Sequence, residues 1–199
     1  DLKPSNILVT DGGEVKLVDF GIAKSLEEAR AGAPATPLTR TGHHVLTPEY
    51  ASPEQIKGGA ITTATDVYAL GVVLYELLCG HRAQRIDDGS YHAIVQAVLD
   101  SEPPRPSAAV LLGEEQPAED DGAPSATTPD RVAAARGTTP GRLARALSGD
   151  LDRIVLRAME KEPERRYPSA EALAADVERF LDGRPVTARG DSAAYRTRM

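Results

Sequence analysis

Asp1-Leu2-Lys3-Pro4-Ser5-Asn6-Ile7-Leu8-Val9, running on to Asp19-Phe20-Gly21, decides how the rest of the chain is read. Ile7-Leu8-Val9-Thr10 is a short apolar, β-prone run, and Val15-Lys16-Leu17-Val18 is a second. Asp11-Gly12-Gly13 between them is a turn signal. Together they predict a β-hairpin. Such a hairpin brings Asn6, just before its first strand, close to Asp19, just after its second. Asp1 lies one loop further back. Three polar side chains, far apart in sequence, are expected to converge at one end of a small rigid element.

Phosphoryl transfer is a chemistry that suits this set. It needs a carboxylate to orient an attacking hydroxyl and accept its proton, and hard oxygen ligands for Mg²⁺. D-L-K-P-S-N at 1–6 followed by D-F-G at 19–21 resembles the Hanks-type (eukaryotic-like) protein kinases. Their catalytic loop reads H-R-D-L-K-x-x-N and their metal turn D-F-G. The resemblance implies that Asp1 is the catalytic base and that Lys3 neutralises the moving phosphoryl group. It implies that Asn6 and Asp19 hold Mg²⁺ (or Mn²⁺) against ATP, with Phe20 and Gly21 completing the turn. Lys3 between Asp1 and Asn6 resembles the serine/threonine branch.

Composition sets outer bounds. The chain has 199 residues and a formal net charge of −7. That length suits one domain or one large lobe. Aromatic residues make up 4% and Trp is absent, so the core must rest on Leu, Val and Ala. Mild acidity argues against nucleic acid as the main partner. A single cysteine, Cys79, excludes an intramolecular disulfide framework and suits a reducing cytosol. No apolar run is long enough to span a bilayer. The His and Arg expected before Asp1, a Gly-rich phosphate loop, the strand lysine and its partner glutamate do not occur in residues 1–199. The expected fold is therefore mainly α: a kinase-like C-terminal lobe with a small β-hairpin at its N-terminus and without the N-terminal lobe.

Residues 22–54 match the family's activation segment. Ile22 to Leu38 is rich in Ala, Pro and small charged groups and reads as a loop. Thr36, Thr39 and Thr41 are candidate phosphoacceptors there; His43 and His44 read as loop residues. Thr47-Pro48-Glu49-Tyr50-Ala51-Ser52-Pro53-Glu54 resembles the substrate-docking turn, with S-P-E in place of A-P-E. Thr47 is expected to hydrogen-bond towards Asp1 and Lys3. Leu46 stands where the family usually has glycine.

Thr63 to Gly80 predicts a central helix, apolar nearly all round and hence a core element. Thr62–Thr65 supplies caps and Gly80 a stop. In the family this segment is the buried central helix of the lobe. The resemblance implies that Asp66 accepts hydrogen bonds from the catalytic-loop backbone, and that Val73 and Leu77 support Leu8 as the floor under adenine. A further helix is expected over about Ser90 to Leu99, with Ile94, Val95, Val98 and Leu99 inward.

From Ser101 to Gly149 the periodicity fails. Seven of the chain's 15 prolines fall between Pro103 and Pro140, beside the acidic Glu114, Glu115, Glu119, Asp120 and Asp121. Residues 113–141 are expected to be a disordered or loosely helical insertion, with one helical turn at Arg131 to Arg136. Leu151, Ile154, Val155, Ala158 and Met159 then recur at helical spacing. Glu162-Pro163-Glu164-Arg165-Arg166 resembles the family's D-P-x-x-R signature, which implies a buried ion pair of Arg166 with Glu54. The last expected helix is Ser169 to Leu181, with Leu173, Val177, Phe180 and Leu181 apolar and Gly183 as stop. The kinase lobe is expected to end at 183, leaving 184–199 as linker or tail.

The wording of the C-terminal third resembles bacterial members of the family, which often continue into a basic linker and a membrane helix. The implied activity is ATP-dependent phosphoryl transfer to serine or threonine of a protein substrate by the full-length kinase. Residues 1–199 alone are expected to be inactive, with the N-terminal lobe of the same kinase as an obligatory partner. The expected location of the lobe is cytoplasmic, with any membrane attachment supplied by sequence beyond Met199. The alternatives are a pseudokinase or a non-catalytic interaction module.

Overall fold

The computed structural model describes residues 2–18, 48–84, 90–115 and 126–189. Its N-terminal element is the expected hairpin. β1 (Ile7–Val9) pairs antiparallel with β2 (Val15–Leu17) in the register Ile7↔Leu17, Leu8↔Lys16, Val9↔Val15. Thr10 closes the turn three times. Its carbonyl accepts Gly13 N–H (2.8 Å), its N–H donates to Glu14 O (2.9 Å), and its Oγ1 accepts Glu14 N–H (3.1 Å). Gly13 takes φ 81°, which a side chain would resist.

The remainder is helical. α1 (Pro53–Ile56) starts on a capping box, in which Ser52 Oγ accepts Gln55 N–H (3.3 Å) and Gln55 Oε1 accepts Ser52 N–H (2.9 Å). α2 (Thr63–Cys79) is the central helix, capped by Thr62 and stopped by Gly80 at φ 74°. One side of α2 carries Tyr68, Val72, Tyr75 and Cys79 into a core with Val98, Val110, Val132 and Leu143. Val67 on the other side packs with Ile154, Ala158, Tyr167 and Leu173. Each such fully buried side chain contributes about 1.5–3 kcal/mol. α3 (Tyr91–Asp100) is capped by Ser90 Oγ and buries Ile94, Ala97 and Val98. α7 (Asp150–Ala158) and α8 (Ala170–Leu181) pack on α2 and on each other. Gly71 permits the α2–α7 approach, since a Cβ there would meet Ala158 Cβ at 2.8 Å and Met159 Cγ at 2.9 Å.

The second half of the expected disordered or loosely helical insertion holds more helix than the single turn expected at Arg131 to Arg136. α4 (Pro106–Ala109), α5 (Pro129–Ala134) and α6 (Pro140–Leu147) fill the segment between α3 and α7. β3 (Glu114–Glu115) and β4 (Ala126–Thr127) pair antiparallel; residues 116–125 lie outside the described ones. Val132, Ala133, Leu143 and Leu147 are core residues. Arg136 ties α5 to the central helix by donating to Val132 O and Leu77 O. Proline density misled here for a physical reason. Pro106, Pro129 and Pro140 each sit in the first turn of a helix, where a missing N–H costs nothing.

The end of the lobe also moves. Residues 184–189 pack rather than trail: Val186 is buried, and a 3₁₀ turn spans Thr187–Arg189. On α8, Leu181 faces solvent, while Asp176 lies on the buried side between Leu173 and Phe180.

Candidate active site

Catalytic-loop geometry begins at Lys3, whose extended backbone leads into a 3₁₀ turn over Pro4–Asn6. Asn6 N–H donates to Lys3 O at 3.0 Å, and Asn6 is 7% exposed. Val18 N–H donates to Asn6 O at 2.9 Å. The hairpin thus sets Asn6 beside the residue that precedes Asp19, as the sequence implied. Asp1, Asp19, Phe20, Gly21, Thr36, Thr39, Thr41 and Thr47 lie outside the described residues. As a donor, the Asn6 carboxamide fits a hard divalent cation such as Mg²⁺, which takes oxygen ligands.

One expectation about this end of the lobe is corrected. Asp66 is exposed, and Asp1, at the start of the loop it is expected to hold, lies outside the described residues. Leu77 is 64% exposed and Leu8 53%, so Leu77 does not pack beneath Leu8; Val73 is buried in α2. Among the described residues the hairpin packs chiefly within itself and with the Pro4–Asn6 turn.

The docking turn is held from two sides. Tyr50 OH donates to Glu76 Oε2 at 2.8 Å, and Arg82 pairs with Glu49 at 3.5 Å. Burial pushes the Glu76 carboxyl above its ordinary range, against the pull of Tyr50 and Arg82. Burial, then the Glu76 bond, raises the Tyr50 hydroxyl well above its ordinary value. Glu76 stands as an acid within a helix that is apolar nearly all round. That acid, on a buried face one helix away from a tyrosine, was the available signal.

Glu54 and Arg166 form the expected pair. Nη1 reaches Oε1 at 2.7 Å and Nη2 reaches Oε2 at 2.8 Å, a bidentate fork. The other three donors go to Glu160 O (2.6 Å), Ala64 O (2.8 Å) and Lys161 O (2.9 Å), so all five N–H bonds are used. The guanidinium also stacks 4.9 Å from the Tyr68 ring centroid. Thr65 Oγ1 adds a bond to Glu54 Oε1 at 2.9 Å. Burial alone pushes the Glu54 carboxyl up, but the Arg166 bond and charge outweigh it and hold it at about 2.

A buried acid that the sequence reading missed stands behind this pair. Asp176, 1% exposed, accepts Tyr167 OH at 2.8 Å, Thr187 N–H at 2.6 Å and Ala188 N–H at 2.9 Å. Burial works to raise its carboxyl; the Thr187, Tyr167 and Ala188 bonds prevail and keep it below the ordinary range. An acid at position 176 interrupts the Leu173–Phe180 apolar stripe, and that interruption was legible.

Comparison with known proteins places this arrangement. The protein kinase domain family model matches residues 1–177. The chain belongs to the protein kinase family. A probable serine/threonine-protein kinase of Streptomyces coelicolor is 32% identical over 188 residues, covering 94% of this chain and 22% of that protein. Serine/threonine-protein kinase PknB of Mycobacterium leprae is 32% identical over 185 residues, 93% of this chain and 23% of its own. PknA of Corynebacterium glutamicum is 52% identical over 82 residues, 41% of this chain and 16% of its own. The chain therefore spans less than a quarter of the curated relatives it matches. The described fold is that of a bacterial Hanks-type serine/threonine kinase C-terminal lobe. Among the described residues no helix is long and apolar enough to cross a membrane.

Proposed function

We propose that the whole protein transfers the γ-phosphoryl group of ATP to a serine or threonine of a protein substrate. In this reading Asp1 orients the attacking hydroxyl and accepts its proton, and Lys3 offsets charge on the moving group. Asn6 and Asp19 bind Mg²⁺, which supplies electrostatic stabilisation of the phosphates when bound. Thr47 links the docking turn to Asp1 and Lys3. Phosphorylation at Thr36, Thr39 or Thr41 orders the activation segment through an arginine, since a phosphothreonine brings three strong acceptor oxygens. The lobe works in the cytoplasm.

The observation that carries the reading is the hairpin closure, with Val18 N–H on Asn6 O, between the D-L-K-P-S-N and D-F-G motifs. Asp1, Lys3, Asn6 and Asp19 are all present, which speaks against a pseudokinase. The test is Asp1→Asn in the full-length protein. Turnover is expected to fall strongly while ATP affinity stays near wild type, because the base acts mainly in the transition state. Unchanged turnover sinks the assignment. For regulation, Thr36, Thr39 and Thr41 are changed together to Ala with Thr47 kept. Loss of peptide phosphorylation together with loss of loop phosphate by mass spectrometry is expected; full activity without loop phosphate overturns it.

A further inference from the structure

Arg166 and Tyr167 are consecutive, and each is buried. Arg166 reaches Glu54 at the end of the activation segment. Tyr167 reaches the other way, donating its hydroxyl to Asp176, which in turn accepts the backbone N–H groups of Thr187 and Ala188. Val186 packs in the same cluster as Tyr167 and Val67. Arg157 adds a second fastening: its guanidinium lies 4.5 Å from the Tyr167 ring centroid, and Nη1 donates to Thr187 Oγ1 at 3.5 Å. Thr63 Oγ1 donates to Pro168 O at 3.3 Å and pins the same stretch to the first turn of α2.

An apolar residue at position 176 would fill the space with less desolvation cost. It could not accept two backbone N–H groups of a neighbouring segment, and those donors would then be stranded in a buried site. What the carboxylate adds is position: it fixes where the strap over 184–189 lies against Tyr167.

We propose that Asp176 and Tyr167 are positioning residues for the phosphoryl-transfer reaction, acting through Arg166 on Glu54 and the docking turn. The strap over 184–189 is the outer end of the same chain of contacts. This rests on the kinase reading above. Tyr167 fixes the backbone that carries Arg166; Arg166 fixes Glu54; Glu54 fixes the turn against which a protein substrate docks. The segment leaving the lobe is thereby coupled to the substrate-docking end of the activation segment.

The experiment uses full-length protein with Tyr167→Phe, which removes one hydroxyl and keeps the ring. Amide exchange is read at Gln55, Ile56 and Lys57, which the α1 turn protects, and at the strap. The KM values for peptide and for ATP are read separately. Exchange at 55–57 is expected to quicken by about five- to tenfold, the scale of one lost hydrogen bond. The peptide KM is expected to rise while the ATP KM holds. Faster exchange confined to 184–189, or equal changes in both KM values, overturns the proposal. If Tyr167→Phe fails to fold, Thr187→Pro leaves Tyr167 intact and removes a strap N–H together with the hydroxyl that meets Arg157, and the same outcomes decide. A wild-type protein without transfer activity would sink the kinase reading, while the exchange measurement would still decide the positioning claim.

Discussion

Arg166 is the residue whose surroundings are most fully determined. Its five donors meet two carboxylate oxygens and three main-chain carbonyls, so nothing can leave without stranding a partner. Arg166→Met is expected to cost about 3–5 kcal/mol, the usual penalty for breaking one side of a buried pair. Adding Glu54→Met should recover only part, because the carbonyls of Glu160, Ala64 and Lys161 stay unsatisfied. Urea unfolding of both variants checks this; full recovery in the double variant would mean that the ion pair alone mattered.

The Glu54 carboxyl also sets an acid limb to stability. Its folded value of about 2 lies below its ordinary 4.5. The lowered value means that the stabilisation is present above 4.5 and is lost as pH falls through about 2. Asp176 acts in the same direction, whereas Glu76, raised by burial, acts in the opposite one. Glu54→Gln is expected to flatten the urea-midpoint profile between these two values. A profile as steep as wild type would show that other carboxylates carry it.

At the scale of elements, the α2–α7 crossing depends on one missing methyl group. Gly71→Ala places a Cβ within 2.9 Å of both Ala158 and Met159 side chains, on two helices that cannot part without opening the core. The expected loss is about 1–3 kcal/mol from overpacking. Gly141→Ala is the matched control, in α6 with open space around the new Cβ. It should stabilise by up to about 0.5–1 kcal/mol, since alanine loses less backbone freedom than glycine. Thermal melts of the two variants should move in opposite directions; a shared direction would contradict the packing account.

Across the described residues, the helical core is closed around α2 but the hairpin stands exposed. Leu8, Val9, Val15 and Leu17 are all exposed, on both faces of a two-stranded sheet. An isolated hairpin is marginal, and clustered exposed apolar residues favour association. Residues 1–199 expressed alone are expected to associate and to show no ATP-dependent transfer, because most of the catalysis comes from positioning the phosphates. Sizing chromatography and a transfer assay check both parts. A monomeric, active 1–199 would overturn them.

Local signals carried much of this structure. The hairpin, the caps at Ser52, Thr62, Ser90 and Ser169, the Gly80 stop and the α2, α3, α7 and α8 helices all depend on near neighbours, through turn chemistry, capping and a 3.6-residue period. The Glu54–Arg166 pair was legible only through family resemblance, since 112 positions separate its members. Tertiary packing alone decided the rest. Composition over 113–141 reads as disordered because it averages across a short apolar spot, Val132-Ala133, that becomes core only against α2, beside Leu143 and Leu147 just beyond it. Asp176 stands on the apolar stripe of its own helix in the sequence, but its partners appear only when a strap folded back from beyond Gly183 brings two N–H groups to it. The family resemblance implies partners for Asp66 and Leu77, yet both are exposed, because burial depends on what lies opposite. A sequence states which contacts a residue is able to make; which partner arrives is settled by how distant segments pack.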